Sequence, residues 1–254
     1  MPYVDLHCHI LPGLDDGARS LADAVHFARL LDREDVLDVA TTSHIKRAHF
    51  PEIDIFELDG RRQELQQAIR AEGLKVTLHP GGELAHEDAL ALHDRELQLI
   101  AQGPRHAQWL LLECPFRGLD DDFDAAVERL TALGYGLLLA HPERIYDGDL
   151  SRLAPHTEAG ALLQVNVSSL LGEHGALARD TGARLVRHGR AFCLAGDTHP
   201  GTRESTLPLG YRSLVRAGAS EIQAQRLTES NPRFLLREGI SQLRLPAVPV
   251  DQLH

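Results

Sequence analysis

Seven short apolar runs, at residues 3–6, 36–41, 75–78, 109–112, 136–140, 162–167 and 191–195, alternate with segments of helical periodicity, and this alternation restricts the fold more than any other feature. Runs of this length are too short for a buried helix and read as strands. Between them, apolar residues recur three and four apart. Leu21, Ala24, Val25, Ala28 and Leu31 share a face over 21–31, Leu58, Leu65 and Ile69 over 56–69, and Ala126, Val127, Leu130 and Leu133 over 123–133. Ser20 stands where the first of these helices needs an N-cap. Strands alternating with helices make βα units and a mostly parallel sheet. Seven units in 254 residues predict an α/β barrel, distorted or incomplete, forming one domain over 1–254. From about residue 205 the pattern turns helical, with an expected break at Asn231–Pro232. The stretch 245–254, with Pro246 and Pro249, is expected to lie loosely on the surface.

Charge narrows the partners. Lys plus Arg number 26 and Asp plus Glu 37, a net charge of −11. An acidic surface of this kind argues against nucleic acid or an anionic membrane as the main partner. It still admits an anionic substrate if bound cations reverse the local potential. No apolar stretch reaches the length of a membrane span, and the opening residues lack the basic-then-apolar order of a secretory signal. Cys8, Cys114 and Cys193 are too few and odd in number for a disulfide framework, which fits a reducing cytoplasm.

The chemistry sits at the strand ends. The first run leads into His7-Cys8-His9, the second into Ser43-His44, and the third, through a Pro-Gly-Gly turn, to Glu83. Glu113 follows the fourth run, His141-Pro142-Glu143-Arg144 the fifth, and Asp197-Thr198-His199 the last. Six strands thus deliver a metal-competent side chain at the end where α/β barrels build active sites. Residues two apart on a strand point to the same side, so His7 with His9, and Asp197 with His199, can face one point. A lone His-x-His is an ordinary find; six such strand ends on one rim are not. Imidazole with carboxylate suits zinc, manganese, iron and similar ions. At least eight ligands exceed what one such ion takes, so two or three ions are expected, with a carboxylate such as Glu83 bridging. One of Asp15 and Asp16, close in sequence to His7 and His9, is a further candidate. The planar fork of Arg144 suits a phosphate clamp; Lys46, Arg47 and Arg203 are weaker candidates for an anion. His79, His86, His93, His106, His156, His174 and His188 read as surface residues.

Absences narrow the reaction. The chain has no nucleophile elbow, P-loop or dinucleotide fingerprint, and no cysteine with an arginine six residues on. Hydrolysis with metal ions as the activating agents is left.

At these residues the sequence resembles the PHP (polymerase and histidinol phosphatase) superfamily. His7-x-His9, His44, Glu83, Glu113, His141 and Asp197-x-His199 follow its pattern in order. Within it, "DLHCHILPGLDDGARS", "HPER" at 141–144 and "AGDTH" at 195–199 are similar to the bacterial tyrosine-protein phosphatases of capsule and exopolysaccharide systems. The resemblance spans residue 3 to about 240. It implies a distorted (β/α)7 barrel with C-terminal helices. It also implies a trinuclear site held by His7, His9, Asp16, His44, Glu83, Glu113, His141, Asp197 and His199, with manganese the favoured ion. Asp16 rather than Asp15 matches the family's ligand. Arg144 would bind phosphate, with Arg203 the place for a second phosphate-binding arginine; Arg47, from its position after His44 alone, is a further substrate-binding candidate, and Asp16 or His199 is the candidate to supply a proton if one is needed. The implied substrate is a phosphotyrosine protein, in particular a tyrosine kinase regulating polysaccharide assembly. The alternatives are a small-molecule phosphatase for histidinol, sugar or nucleotide phosphate, and a catalytically weak metal-binding regulator. The sequence departs from the family around His44, where it reads "TSHIKRAHF", and after His199, where it reads "PGTRES".

Overall fold

The computed structural model describes residues 2–204 and 206–241. The chain opens with β1 (Tyr3–Cys8), α1 (Leu21–Arg33), β2 (Val36–Thr41) and the two-residue β3 (His44–Ile45). Next come α2 (Leu58–Ala71), β4 (Thr77–His79), the two-residue β5 (Glu83–Leu84), α3 (His86–Ala89) and α4 (Asp94–Ile100). The middle runs β6 (Trp109–Glu113), α5 (Asp121–Ala132), β7 (Gly136–Ala140), α6 (Leu153–Glu158) and β8 (Leu162–Asn166). Then follow α7 (Val167–Leu171), α8 (Gly175–Arg187), β9 (Ala191–Ala195), α9 (Leu207–Arg216), α10 (Glu221–Gln225) and α11 (Asn231–Glu238). All seven expected strands form, within two residues of their expected bounds.

Every strand pair is parallel, in two sheets ordered β1-β2-β4 and β3-β5-β6-β7-β8-β9. The strands do not form one continuous ladder. The missing pieces are local: Thr42-Ser43 interrupts β2 before β3, and Pro80-Gly81-Gly82 interrupts β4 before β5. At Gly82 a Cβ would lie 3.0 Å from side-chain atoms of Ile100 and Ile45, so any larger residue in the turn would have to push them aside. The first and last strands touch through a single bridge, Cys8 to Thr198. Around it the Asp197 N–H donates to the His7 carbonyl at 2.8 Å and the His9 N–H to the Thr198 carbonyl at 2.9 Å.

Both faces of β6 and β7 are buried, and nearly all of β1, β8 and β9, which is why these strands read as unbroken apolar runs. Leu110, Leu112, Leu137 and Leu139 pack outward against the helices. Val4, Leu6, Trp109, Leu111, Leu138 and Cys193 form a second cluster with Leu235 and Ile240 from the C-terminal end. The Trp109 indole N–H donates to the Leu235 carbonyl at 3.1 Å. The helices start where the sequence provides acceptors: the Ser20 side chain accepts the Asp23 N–H, and Asp120 accepts that of Phe123.

The expected break at Asn231–Pro232 does not occur. The chain stays helical from α10 through a π-helical turn at Arg226–Ser230 into α11. Pro232 comes directly after the π-helical turn, in which the Asn231 N–H already bonds five residues back to the Arg226 carbonyl, and the wider turn passes the proline at the start of α11. The stretch 245–254 lies outside the described residues. Among the described residues, no helix is long and apolar enough to cross a membrane.

Candidate metal centre

The side chains gathered at the strand ends converge on Glu83. Its Oε2 lies 2.9 Å from His44 Nδ1 and 3.3 Å from both His7 Nε2 and His9 Nε2. Its Oε1 lies 2.8 Å from His141 Nε2. Asp197 forms a second focus, with Oδ1 3.6 Å from His7 Nε2 and 3.5 Å from His9 Nε2. Asp16 Oδ1 stands 3.1 Å from His199 Nε2 and 3.4 Å from His44 Nε2. Glu113 completes a group with His44 and Glu83. The nine residues thus fall into overlapping groups: His9–Asp16–His44–His199, His7–His141–Asp197, His7–His9–Glu83 and His44–Glu83–Glu113.

This arrangement fits divalent cations. His7 and His9 are fully buried with their Nε2 atoms 3.2 Å apart. Glu83 Oε2 and His44 Nδ1 are buried with no well-formed hydrogen bond. A hard cation between nitrogen and carboxylate donors satisfies such a set. Electrostatics point the same way. Burial alone would raise the Glu83 carboxyl, yet His7 and His44 outweigh it and hold Glu83 well below its ordinary value. Burial likewise disfavours a charged His44, but Glu83 and Asp16 raise it to about 9. Binding an ion would displace these protons.

A second layer of polar residues aims the first. His9 Nδ1 pairs with Asp15 Oδ2 at 2.9 Å, and the same oxygen accepts the His44 N–H at 2.9 Å. Asp15 therefore orients His9 while Asp16 faces the histidine pair. His7 Nδ1 meets the Gln164 amide oxygen at 3.1 Å. Gln164 donates to Asn166 Oδ1 at 2.7 Å, and Asn166 donates to Asp197 Oδ2 at 2.6 Å. Asp5 accepts the N–H groups of His7 and Gly196, and burial raises its carboxyl to about 6. The sequence reading missed Gln164, Asn166 and Asp5 as site residues. Their signal was present: Gln164 and Asn166 are polar, two apart, inside an apolar run, and Asp5 lies two before His7.

The backbone is bent for the purpose. His141 and Asp197 adopt left-handed conformations, at φ 36° and 46°; Asp35 is the other such non-glycine among the described residues. Strained backbone of this kind persists only where surrounding contacts enforce it. Gly17 is the opposite case, since a Cβ there would lie 2.0 Å from the His9 carbonyl oxygen.

Two of the three expected anion-binding arginines reach the cluster. Arg144 Nη1 donates to Asp197 Oδ2 at 3.1 Å, and Arg203 Nη2 to Asp197 Oδ1 at 2.8 Å. Arg47 does not join them: its guanidinium pairs with Glu96 at 2.7 Å and its backbone N–H with Asp88. Lys46 Nζ sits on Glu113 Oε2 at 2.8 Å. Two histidines read as surface residues also differ. His86 is buried beside Phe123. His174 meets the Ser168 hydroxyl at 2.9 Å, and burial, then Arg144 and Arg203, lower it to about 4.

The chain is similar to known proteins over nearly its whole length. The chain is 28% identical to the tyrosine-protein phosphatase YwqE of Bacillus subtilis, over 98% of this chain and 97% of that one. It is 25% identical to the tyrosine-protein phosphatase CpsB of Streptococcus agalactiae, over 92% and 98%. Its fold matches a solved structure from work on B. subtilis YwqE and Streptococcus pneumoniae CpsB, described as metal-dependent tyrosine phosphatases. That match has a TM-score of 0.78 at 24% identity and covers 94% of this chain and 95% of the other. A more distant fold likeness, TM-score 0.54 at 12% identity, is to a zinc-bound amidohydrolase, covering 89% and 83%. The family model for capsular polysaccharide synthesis proteins CpsB/CapC matches residues 3–237, and the chain belongs to that family.

Proposed function

We propose that this chain is a metal-dependent phosphatase acting on protein phosphotyrosine, with a tyrosine kinase of the polysaccharide assembly machinery as its substrate. The observation that carries the reading is the convergence of four histidines on the buried Glu83, beside Arg144 and Arg203 on Asp197. In this reading the strands form one distorted seven-stranded barrel, a single domain working in the cytoplasm. The ligands are His7, His9, Asp16, His44, Glu83, Glu113, His141, Asp197 and His199, and two or three ions, manganese foremost, occupy the centre. Divalent ions there would supply Lewis-acid neutralisation of phosphoryl charge and a nucleophile at neutral pH.

The chain's own residues do the rest. Arg144 and Arg203 offer guanidinium donors to the phosphoryl oxygens and exchange part of their bonding with Asp197 for bonding with substrate. Arg47, held by Glu96, takes no part. Asp15, Gln164 and Asn166 hold the imidazoles and Asp197 in orientation. A tyrosine oxygen, with an ordinary pKa of about 10, leaves with less proton assistance than an alkoxide. Asp16 Oδ1 and His199 Nε2 stand 3.1 Å apart, and as ligands of an ion both would be unprotonated, so they would position the ion next to the leaving oxygen rather than give it a proton.

The test is phosphate release from a phosphotyrosine peptide by manganese-loaded and chelator-stripped protein, with phosphoserine peptide and histidinol phosphate alongside. The expected result is metal-dependent release favouring phosphotyrosine. Preference for histidinol phosphate would keep the centre and overturn the substrate. His141→Ala should lose both bound metal and at least about a hundredfold in rate; full metal content and rate in that variant would refute its assignment as a ligand.

A further inference from the structure

Phe116 is a large apolar side chain beside a polar centre, yet it is 38% exposed. It follows Glu113 in the loop after β6, and its carbonyl accepts the Tyr146 N–H at 2.7 Å. That bond ties the loop after β6 to the loop after β7, which carries His141 and Arg144. The ring lies beside His141, centroids 5.5 Å apart. The Arg144 guanidinium carbon sits over it, 4.4 Å from the ring centroid, while Arg144 Nη1 reaches Asp197 Oδ2. One guanidinium thus touches the exposed aromatic ring and the carboxylate at the centre of the site.

We propose that Phe116 is a specificity-determining residue, the surface on which the aromatic ring of an aryl phosphate lies while Arg144 holds its phosphate. This rests on the phosphatase reading above and names the feature that separates tyrosyl from seryl esters. The reasoning is geometric. A phosphate on Arg144 is already adjacent to the ring, because Phe116 and Arg144 are in contact. In an aryl ester one oxygen joins phosphorus to a flat, rigid ring, so the leaving group reaches the exposed Phe116 ring. The single methylene of a seryl ester has little to offer there. Offset or edge-on aromatic contacts are favourable beyond simple area burial. Backbone pinning and the stacked guanidinium also keep Phe116 from collapsing inward before substrate arrives, so little ordering cost is met on binding. Phe50 is the other aromatic at the centre. It lies flat on His44, 5.2 Å between centroids and 6° between planes, and it has no contact with an anion-binding arginine among those described.

The test uses the full-length, metal-loaded protein and two non-hydrolysable probes, phenylphosphonate and methylphosphonate, titrated by calorimetry with metal content measured in parallel. Phe116→Leu should weaken phenylphosphonate about threefold to tenfold, the range for an aromatic pair, and leave methylphosphonate within about twofold. Phe116→Trp should restore the phenyl preference. Equal weakening of both probes would show that Phe116 only steadies Arg144 and would overturn the proposal. So would an unchanged phenyl preference, or a loss found in Phe50→Leu instead. If Phe116→Leu fails to take up metal, Phe116→Met, unbranched and without a ring, takes its place: a lost phenyl preference supports the proposal and a retained one overturns it. Binding is read without turnover. Normal discrimination between the probes in a protein inert towards phosphotyrosine would therefore sink the phosphatase reading and leave the ring surface standing.

Discussion

The partner on one nitrogen of an imidazole decides which way the other nitrogen faces. His7 and His9 turn Nε2 inward because Gln164 and Asp15 occupy their Nδ1 atoms, and the tautomers follow from those bonds. Gln164 has a further task, since its amide N–H continues through Asn166 to Asp197, linking a histidine on β1 to the aspartate after β9. Gln164→Ala should therefore weaken metal binding by about tenfold to a hundredfold, measured by competition with a chelating dye. Affinity equal to the parent's would show that His7 needs no outer partner. A second residue-level prediction concerns pH. The Asp38 carboxyl is held below its ordinary value, first by the His79 hydrogen bond at 2.9 Å and then by Arg233 at 2.9 Å. A depressed carboxyl stabilises the fold fully above its unfolded value, near pH 4, and loses that contribution as pH falls through the lower folded value. Asp38→Asn should cost about 1 kcal/mol at pH 7, discounted for partial exposure. The gap from the parent should close in acid; a gap that stays constant down to pH 2 would refute the linkage.

At the scale of elements, α1 follows directly on the loop that carries Asp15 and Asp16, so its first turn bears on the site. Ser20→Ala removes the acceptor for the Asp23 N–H and should lower stability by about 1 kcal/mol, read from denaturant midpoints. No change would mean that water replaces the cap without loss. The same elements show how far sequence could reach. The seven strands were legible because strands buried on one or both faces leave short apolar runs, and the helices because one face alternates with a charged one. Eight of the nine side chains now found in the four clustered groups were legible because they follow such runs; the ninth, Asp16, was separated from Asp15 only by the family resemblance. β3 and β5 were not, since two residues carry no period. The left-handed backbones of His141 and Asp197 leave no compositional trace, because neither is glycine. Arg47 looked like an anion binder because its partner Glu96 lies 49 residues away. The helix through Pro232 was misread because the π-helical turn that passes it leaves no period in the sequence.

Over the whole molecule, the two ends of the described chain are fastened to one another. Arg233 in α11 bonds Asp38 on β2 and the Pro2 carbonyl ahead of β1, and Asn231 donates to the Phe192 carbonyl on β9. Stripping bound metal should lower the melting temperature as well as abolish turnover. An ion held at a hundred times its dissociation constant contributes about 2.7 kcal/mol, or roughly 5–10 °C for a chain of this size. Identical melting of stripped and manganese-loaded protein would exclude a metal centre that couples to the fold. The single bridge between Cys8 and Thr198 carries one more consequence. Synthesis runs from the N-terminus, so His7 and His9 leave the ribosome about 190 residues ahead of Asp197 and His199. The complete centre therefore cannot form until Asp197 and His199 have been made, and a product that terminates before them keeps His7 and His9 without the strand end that brings Asp197 to them.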